Sequence, residues 1–203
     1  MHPDYKIRLV TESDVHSVLD IYKYYVENTI ISFEYEPPTA EEYVQRIITN
    51  TAKYPWLVIQ YKNSIIGFAY GSTHRYRSAY QWSPESTIYM SPGFQTRGLG
   101  KVLYKTLFSL MKLQGYFNVF AGVGLPNEKS IAFHKSMGFE EIGIFNKIGY
   151  KQGNWHDTHW FQLTISKHIL NPPPPLLLKE ASSISDFSII LHDANLSLKE
   201  IKE

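Results

Sequence analysis

The sequence predicts an α/β (α+β) fold built on a mixed central β-sheet with helices on both faces. Apolar, β-branched and aromatic runs of strand length alternate with stretches whose apolar residues recur every three or four positions. Two of the strand-like runs, Trp56–Tyr61 and Ile65–Tyr70, are separated only by Lys62-Asn63-Ser64, the spacing of an antiparallel hairpin. Later runs are separated by whole helices, the connection that parallel neighbours need. The chain has 203 residues, 43% hydrophobic and 15% aromatic, enough for one core and far from the composition of a disordered chain.

Lys6–Val10 reads as a short strand. Thr11 and Asp14 then stand in a capping-box arrangement, in which side chains satisfy orphan N–H groups at a helix start. Val15, Val18, Leu19, Tyr22, Tyr25 and Val26 fall on one face of the helix that follows. Pro37-Pro38 punctuates the chain, Thr39 and Glu42 repeat the cap signal, and Tyr43, Ile47 and Ile48 mark a second, weaker amphipathic helix. After the hairpin, Gly71–Pro84 is a polar, aromatic loop, and Glu85–Met90 is a strand closed by Ser91-Pro92-Gly93. Leu99, Val102, Leu103, Leu107, Leu110 and Met111 form the stripe of a long helix that stops at Gly115. Phe117–Val123 has the continuous apolar character of a buried strand, and Asn127–Met137 is a short helix ended by Gly138. Two more strands lie around Ile142–Tyr150 and His159–Ile165. Past Lys167, Asn171-Pro172-Pro173-Pro174-Pro175 is an extended spacer and the remainder is only weakly helical. Residues 1–167 are therefore expected to be the folded domain and 168–203 an appendage.

Lys and Arg total 20 against 19 Asp and Glu, for a net charge of +1, with no block of like charge. This argues against a nucleic-acid or membrane-surface partner. The absence of cysteine excludes disulfides, thiol nucleophiles and thiolate metal sites. The first ten residues carry no apolar h-region and no window approaches a membrane span, so a soluble cytoplasmic protein is expected. His156 and His159 sit on a probable strand whose alternation points them apart, and no metal is expected. Asn195-Leu196-Ser197 is read as a chance match to a glycosylation sequon.

Gln95-Thr96-Arg97-Gly98-Leu99-Gly100 lies where a strand hands over to a helix. Backbone N–H groups and the positive helix end can converge there on one anion. Gly98 and Gly100 permit close approach, while Arg97 and Lys101 add positive charge. Gly93 and Gly98 have Walker spacing, but Leu99 stands where the lysine is required. The dinucleotide fingerprint belongs after the first strand of a βαβ unit, whereas this loop is mid-chain. By itself the loop fits a ligand-free helix start equally well.

Gln95, Gly98 and Gly100 satisfy the Q/R-x-x-G-x-G/A loop with which the GNAT superfamily of N-acetyltransferases holds the pyrophosphate of acetyl-CoA, and the chain resembles that superfamily. More narrowly, Tyr54–Val58, Ala79–Trp82, Glu85–Tyr89, Gly124–Asn127 and Gly149–Asp157 resemble, in register, segments of phosphinothricin N-acetyltransferases. The likeness runs from about Ile7 to Leu163 and leaves the C-terminal segment outside. It implies a GNAT-type sheet, acetyl-CoA as co-substrate, a small-molecule amine acceptor and a homodimer. Glu85 resembles the family's general base, which is needed because an α-amino group near neutral pH is largely protonated. A solvated strand-end carboxylate is the alternative. His134 stands where the superfamily often has a tyrosine, so it is either a proton donor to the departing CoA thiolate or a structural histidine. A backbone N–H of Tyr89 or Met90 is the expected oxyanion donor, with Ile88 beside them at the cofactor. Asn127 resembles the residue that bonds the CoA arm, with Ser130 one turn on, and an asparagine there is equally a good N-cap. An anionic acceptor would need cations, for which Arg75 and Arg77 are candidates, with Tyr80 as a phenolic donor and Phe33 as a pocket wall. A surface arginine pair is the alternative, and His74-Arg75-Tyr76 departs from the family's pattern. Acetylation of another small amine, or CoA sensing without turnover, would use the same loop.

Overall fold

A computed structural model describes residues 5–95 and 97–201. Its strands β1 (Tyr5–Leu9), β2 (Trp56–Tyr61), β3 (Ser64–Ser72), β4 (Glu85–Met90), β5 (Asn118–Gly124), β6 (Glu140–Lys151) and β7 (Asn154–Thr164) form one sheet. Their spatial order is β1-β2-β3-β4-β5-β7-β6. All neighbours are antiparallel except β4 and β5, because the helix α3 (Leu99–Gln114) between them returns the chain in the same direction. That parallel pair keeps register only at Glu85 and Phe120, and the two strands diverge beyond it.

Alternation along the strands builds two layers. Trp56 and Val58 of β2, with Phe68 and Tyr89, pack under α1 (Val15–Asn28) and α2 (Ala40–Thr51). Leu57 and Ile59, with Ala69, Val119, Ala121 and Phe161, pack against α3 on the opposite face. The predicted stripe of α3 is the centre of that layer: Leu99, Leu103, Leu107, Leu110 and Met111 are fully buried. Truncating one such leucine to alanine costs ~2–5 kcal/mol. The cap of α2 is reciprocal, with Glu42 N–H donating to Thr39 Oγ1 at 3.2 Å and Thr39 N–H to Glu42 Oε2 at 2.8 Å. Gly115 ends α3 in the left-handed region at φ +95°, where a side chain would strain. Ile48, expected on the buried face of α2, is instead exposed, since the stripe there is narrow and ends at Ile47.

Of the C-terminal segment read from sequence as an appendage, the described residues through 201 contribute side chains to the same core. Leu178 and Ala181 of α5 (Leu178–Ala181), and Phe187, Ala194 and Leu198 of α6 (Ser185–Leu198), are buried beside α3. The proline segment is tied down: Trp82 Nε1–H donates to Pro173 O at 2.8 Å. Buried Gln114 donates to Lys53 O at 2.7 Å and to Leu176 O at 2.8 Å. Asn195 pairs with the backbone of β1, accepting from Ile7 N–H at 2.8 Å and donating to Ile7 O at 2.9 Å. An edge strand has unpaired backbone groups, and this amide supplies partners that another strand would otherwise provide. The opposite edge, β6, presents Ile142, Ile144, Phe145, Ile148 and Tyr150 to the surface. No helix among the described residues is long and apolar enough to cross a membrane.

Candidate active site

A cleft of about 320 Å³ lies between the end of β4 and the start of α3. Gly98 takes the N-cap position at φ +80°, and no side chain caps the helix. The N–H groups of Leu99 and Gly100 therefore lie at a helix start that supplies no intrahelical acceptors. Gly98, Gly100, Lys101 and Gln95 line the cleft, and Ile88, Tyr89 and Met90 form its strand wall. Asn127 and Ser130 close it from α4 (Glu128–Ser136). Asn127 is also the N-cap of that helix, accepting from Ser130 N–H at 3.2 Å, so the two roles expected of it are compatible. Leu99, by contrast, is fully buried in the core, so its side chain is turned from the cleft and only its amide can serve. Arg97 is exposed, with its guanidinium 5.4 Å from the Phe94 ring. Thr96 lies outside the described residues.

The strand register distinguishes the two expected oxyanion donors. Ser91 N–H bonds Ile66 O, so Phe68–Tyr89 is a hydrogen-bonded pair and Gly67–Met90 is not. The Tyr89 amide is consequently used by β3, while the Met90 amide faces the gap towards β5. Tyr25 OH donates to Met90 O and accepts from Gln95 at 2.8 Å, linking α1, β4 and the glycine loop. From sequence Tyr25 is expected only on the buried face of α1, because helical spacing marks it as core and nothing in it signals a place in the site.

A second cleft of about 690 Å³ adjoins the first and shares Ile31 and Tyr89 with it. Phe33, Phe145, Ile148 and Trp160 make it largely apolar. The Phe33 ring lies between glycines of two strands: a Cβ added at Gly149 would meet it at 2.4 Å and one at Gly124 at 3.4 Å. Buried Lys151, at the end of β6, ties that strand to α1 and to the segment after it by donating to Val26 O at 2.6 Å and Ser32 O at 2.7 Å. Removal from water lowers its ammonium pKa.

Glu85 shares the sheet face of Tyr89, two pleats away, and Phe120, Gly122 and Trp160 continue that face across β5 and β7. Its Oε1 is 2.6 Å from Nδ1 of His74. Arg75, Arg77 and Tyr80 are not brought to either cleft. Arg75 lies over the Tyr80 ring at 5.7 Å, Arg77 is exposed, and Tyr80 is 40% exposed. His134 is buried among Tyr104, Phe133, Phe139 and Phe161 and does not line either cleft. Its Nδ1 is 2.8 Å from Ser130 O, which can only accept, so Nδ1 carries the hydrogen. Burial lowers its pKa, opposed by that hydrogen bond.

A family described as "Acetyltransferase (GNAT) domain" matches residues 7–160. The chain is 35% identical to a phosphinothricin N-acetyltransferase of Streptomyces viridochromogenes, over 88% of this chain and 96% of the relative. It is 26% identical to an L-methionine sulfoximine/L-methionine sulfone acetyltransferase of Salmonella typhimurium, over 80% of this chain and 95% of the relative. Among solved structures, it superposes on a GNAT phosphinothricin acetyltransferase from Sinorhizobium meliloti in complex with acetyl-CoA with a TM-score of 0.79. That alignment has 31% identity and covers 88% of this chain and 99% of the other. With the splayed strands and the glycine loop they enclose, these matches show that the chain belongs to the GNAT family and is an acetyl-CoA-dependent N-acetyltransferase.

Proposed function

We propose that the chain acetylates the α-amino group of a small amino acid or analogue, of the phosphinothricin or methionine sulfoximine and sulfone kind, by direct transfer with Glu85 as general base. The observation that carries this reading is the meeting of the two clefts at Ile31 and Tyr89, with Glu85 on the face of Tyr89. Acetyl-CoA supplies an acyl group activated as a thioester. The amides at the start of α3, with Lys101 and Arg97 nearby, hold its diphosphate, and Asn127 and Ser130 flank the arm. The Met90 N–H faces the gap where negative charge develops on the carbonyl oxygen. Glu85 takes the proton from the acceptor's ammonium, and a positioned base contributes ~10² to 10⁴ in rate. His134 receives no acid role: with Nδ1–H committed to Ser130 O, a donor at Nε2 would require the imidazolium that burial disfavours. The thiolate leaves unaided, as a thiol of pKa ~8.5 can.

The apolar lining of the second cleft, from which Arg75 and Arg77 are absent, favours an uncharged acceptor side chain such as a sulfone over an anionic phosphinate. A panel of amines assayed for free thiol with acetyl-CoA tests both readings. Release with phosphinothricin or methionine sulfone supports the proposal; raised thermal stability with acetyl-CoA but no thiol from any amine supports a sensor instead. The exposed apolar edge of β6 supports a homodimer formed through it, which sedimentation tests directly.

A further inference from the structure

We propose that His74 is a positioning residue that holds the Glu85 carboxylate in its reactive orientation. This rests on the reading of Glu85 as general base. An ionised carboxylate can only accept, so at 2.6 Å the Nδ1–H of His74 donates to Glu85 Oε1. The second carboxylate oxygen is left for the acceptor amine. The donor is itself fixed. Its ring stacks on Phe120 at 4.7 Å and 13°, and meets the Trp160 ring edge-on at 5.5 Å and 67°. Phe120 is the one β5 residue in register with Glu85, and Trp160 is a wall of the second cleft. The imidazole therefore links the wall of the acceptor cleft to the base. His74 and Glu85 line neither cleft themselves, and both remain only partly covered, at 15% and 30% side-chain exposure, so the bond is one of geometry beside the cleft wall rather than a buried ion pair.

The role separates from packing by two substitutions at one position. His74→Phe keeps an aromatic ring on Phe120 and removes the donor. His74→Asn loses the stack and keeps an N–H donor close to the place of Nδ1. Steady-state kinetics on both, alongside Glu85→Gln and the double variant His74→Phe/Glu85→Gln, give the test, with thermal melts as a control for folding. A base displaced by about 1 Å loses up to ~10²-fold in rate. The expected result is a fall in kcat of about tenfold or more for His74→Phe with unchanged KM for acetyl-CoA, and recovery of most of it in His74→Asn. The double variant is expected to be no slower than Glu85→Gln alone. Wild-type kcat in His74→Phe beside a slow Glu85→Gln overturns the proposal and leaves the base reading standing. Independent, multiplying losses in the double variant also overturn it. Wild-type kcat in Glu85→Gln removes the base reading and this proposal with it.

Discussion

Replacing Gly149 by alanine tests whether Phe33 shapes the second cleft, the one proposed to take the acceptor. The new Cβ would lie 2.4 Å from Phe33 Cε2 and 2.5 Å from Cδ2, so the ring must retreat by about 1 Å to reach normal contact. Retreat is obstructed. Gly124 lies against the other side of the ring, and the ring centroid of His156 is 6.3 Å away. Overpacking of this kind costs ~1–3 kcal/mol, which for a chain of this size lowers the melting temperature by about 2–4 °C per kcal/mol. A shift of about 1 Å in a residue that positions substrate costs up to ~10²-fold in rate. The expected outcome is a kcat/KM for the amine reduced by about 10- to 100-fold, with KM for acetyl-CoA unchanged because the glycine loop lies across the other cleft. Thiol release measured against amine concentration, then against acetyl-CoA, separates the two. Phe33→Leu in the Gly149→Ala background is expected to restore the melting temperature. A Gly149→Ala variant that melts and turns over like wild type would refute the assignment of this glycine to Phe33.

Gly98→Ala places a side chain at φ +80°, at a strain of ~1–2 kcal/mol, although its Cβ has room; it is expected to raise KM for acetyl-CoA and not for the amine, read from the same assay. Asn195→Ala removes both bonds to Ile7 and is expected to cost ~1–3 kcal/mol in denaturant unfolding without altering kcat, whereas an unchanged midpoint would contradict the edge-closing role. His134, with its folded pKa below the usual 6.5, is neutral in the native state where the unfolded chain already binds a proton. It therefore contributes stability above pH ~6.5 that is lost as pH falls through the lower native value, and His134→Phe is expected to flatten the fall in melting temperature just below pH ~6.5. An equal slope in both proteins would place the acid sensitivity elsewhere.

The order of strands and helices was legible because it rests on periodicity: the stripe of α3 and the alternation in β2 are buried as their spacing requires. The glycine loop was legible because backbone approach demands its residue types locally. Contacts made at long sequence separation were not. Nothing near His74 announces that the loop after β3 folds it back onto Glu85, and Gly149 gains meaning only when the α1–α2 connection delivers Phe33 to it. Arg75 and Arg77 have the charge an anionic acceptor would need, but the same loop leaves them exposed at the surface. The docking of the C-terminal helix was not legible because its apolar residues are spread around it rather than gathered in one stripe. Its partners, α3 and the open edge of β1, lie far away in the chain.

The most direct measurement of the central claim is the pH dependence of kcat for Glu85→Gln. If Glu85 deprotonates the acceptor, the variant is expected to be ~10²- to 10⁴-fold slower near neutral pH and to recover partly towards pH 9–10, where hydroxide and the free amine do its work. A variant as fast as wild type across that range would contradict the account.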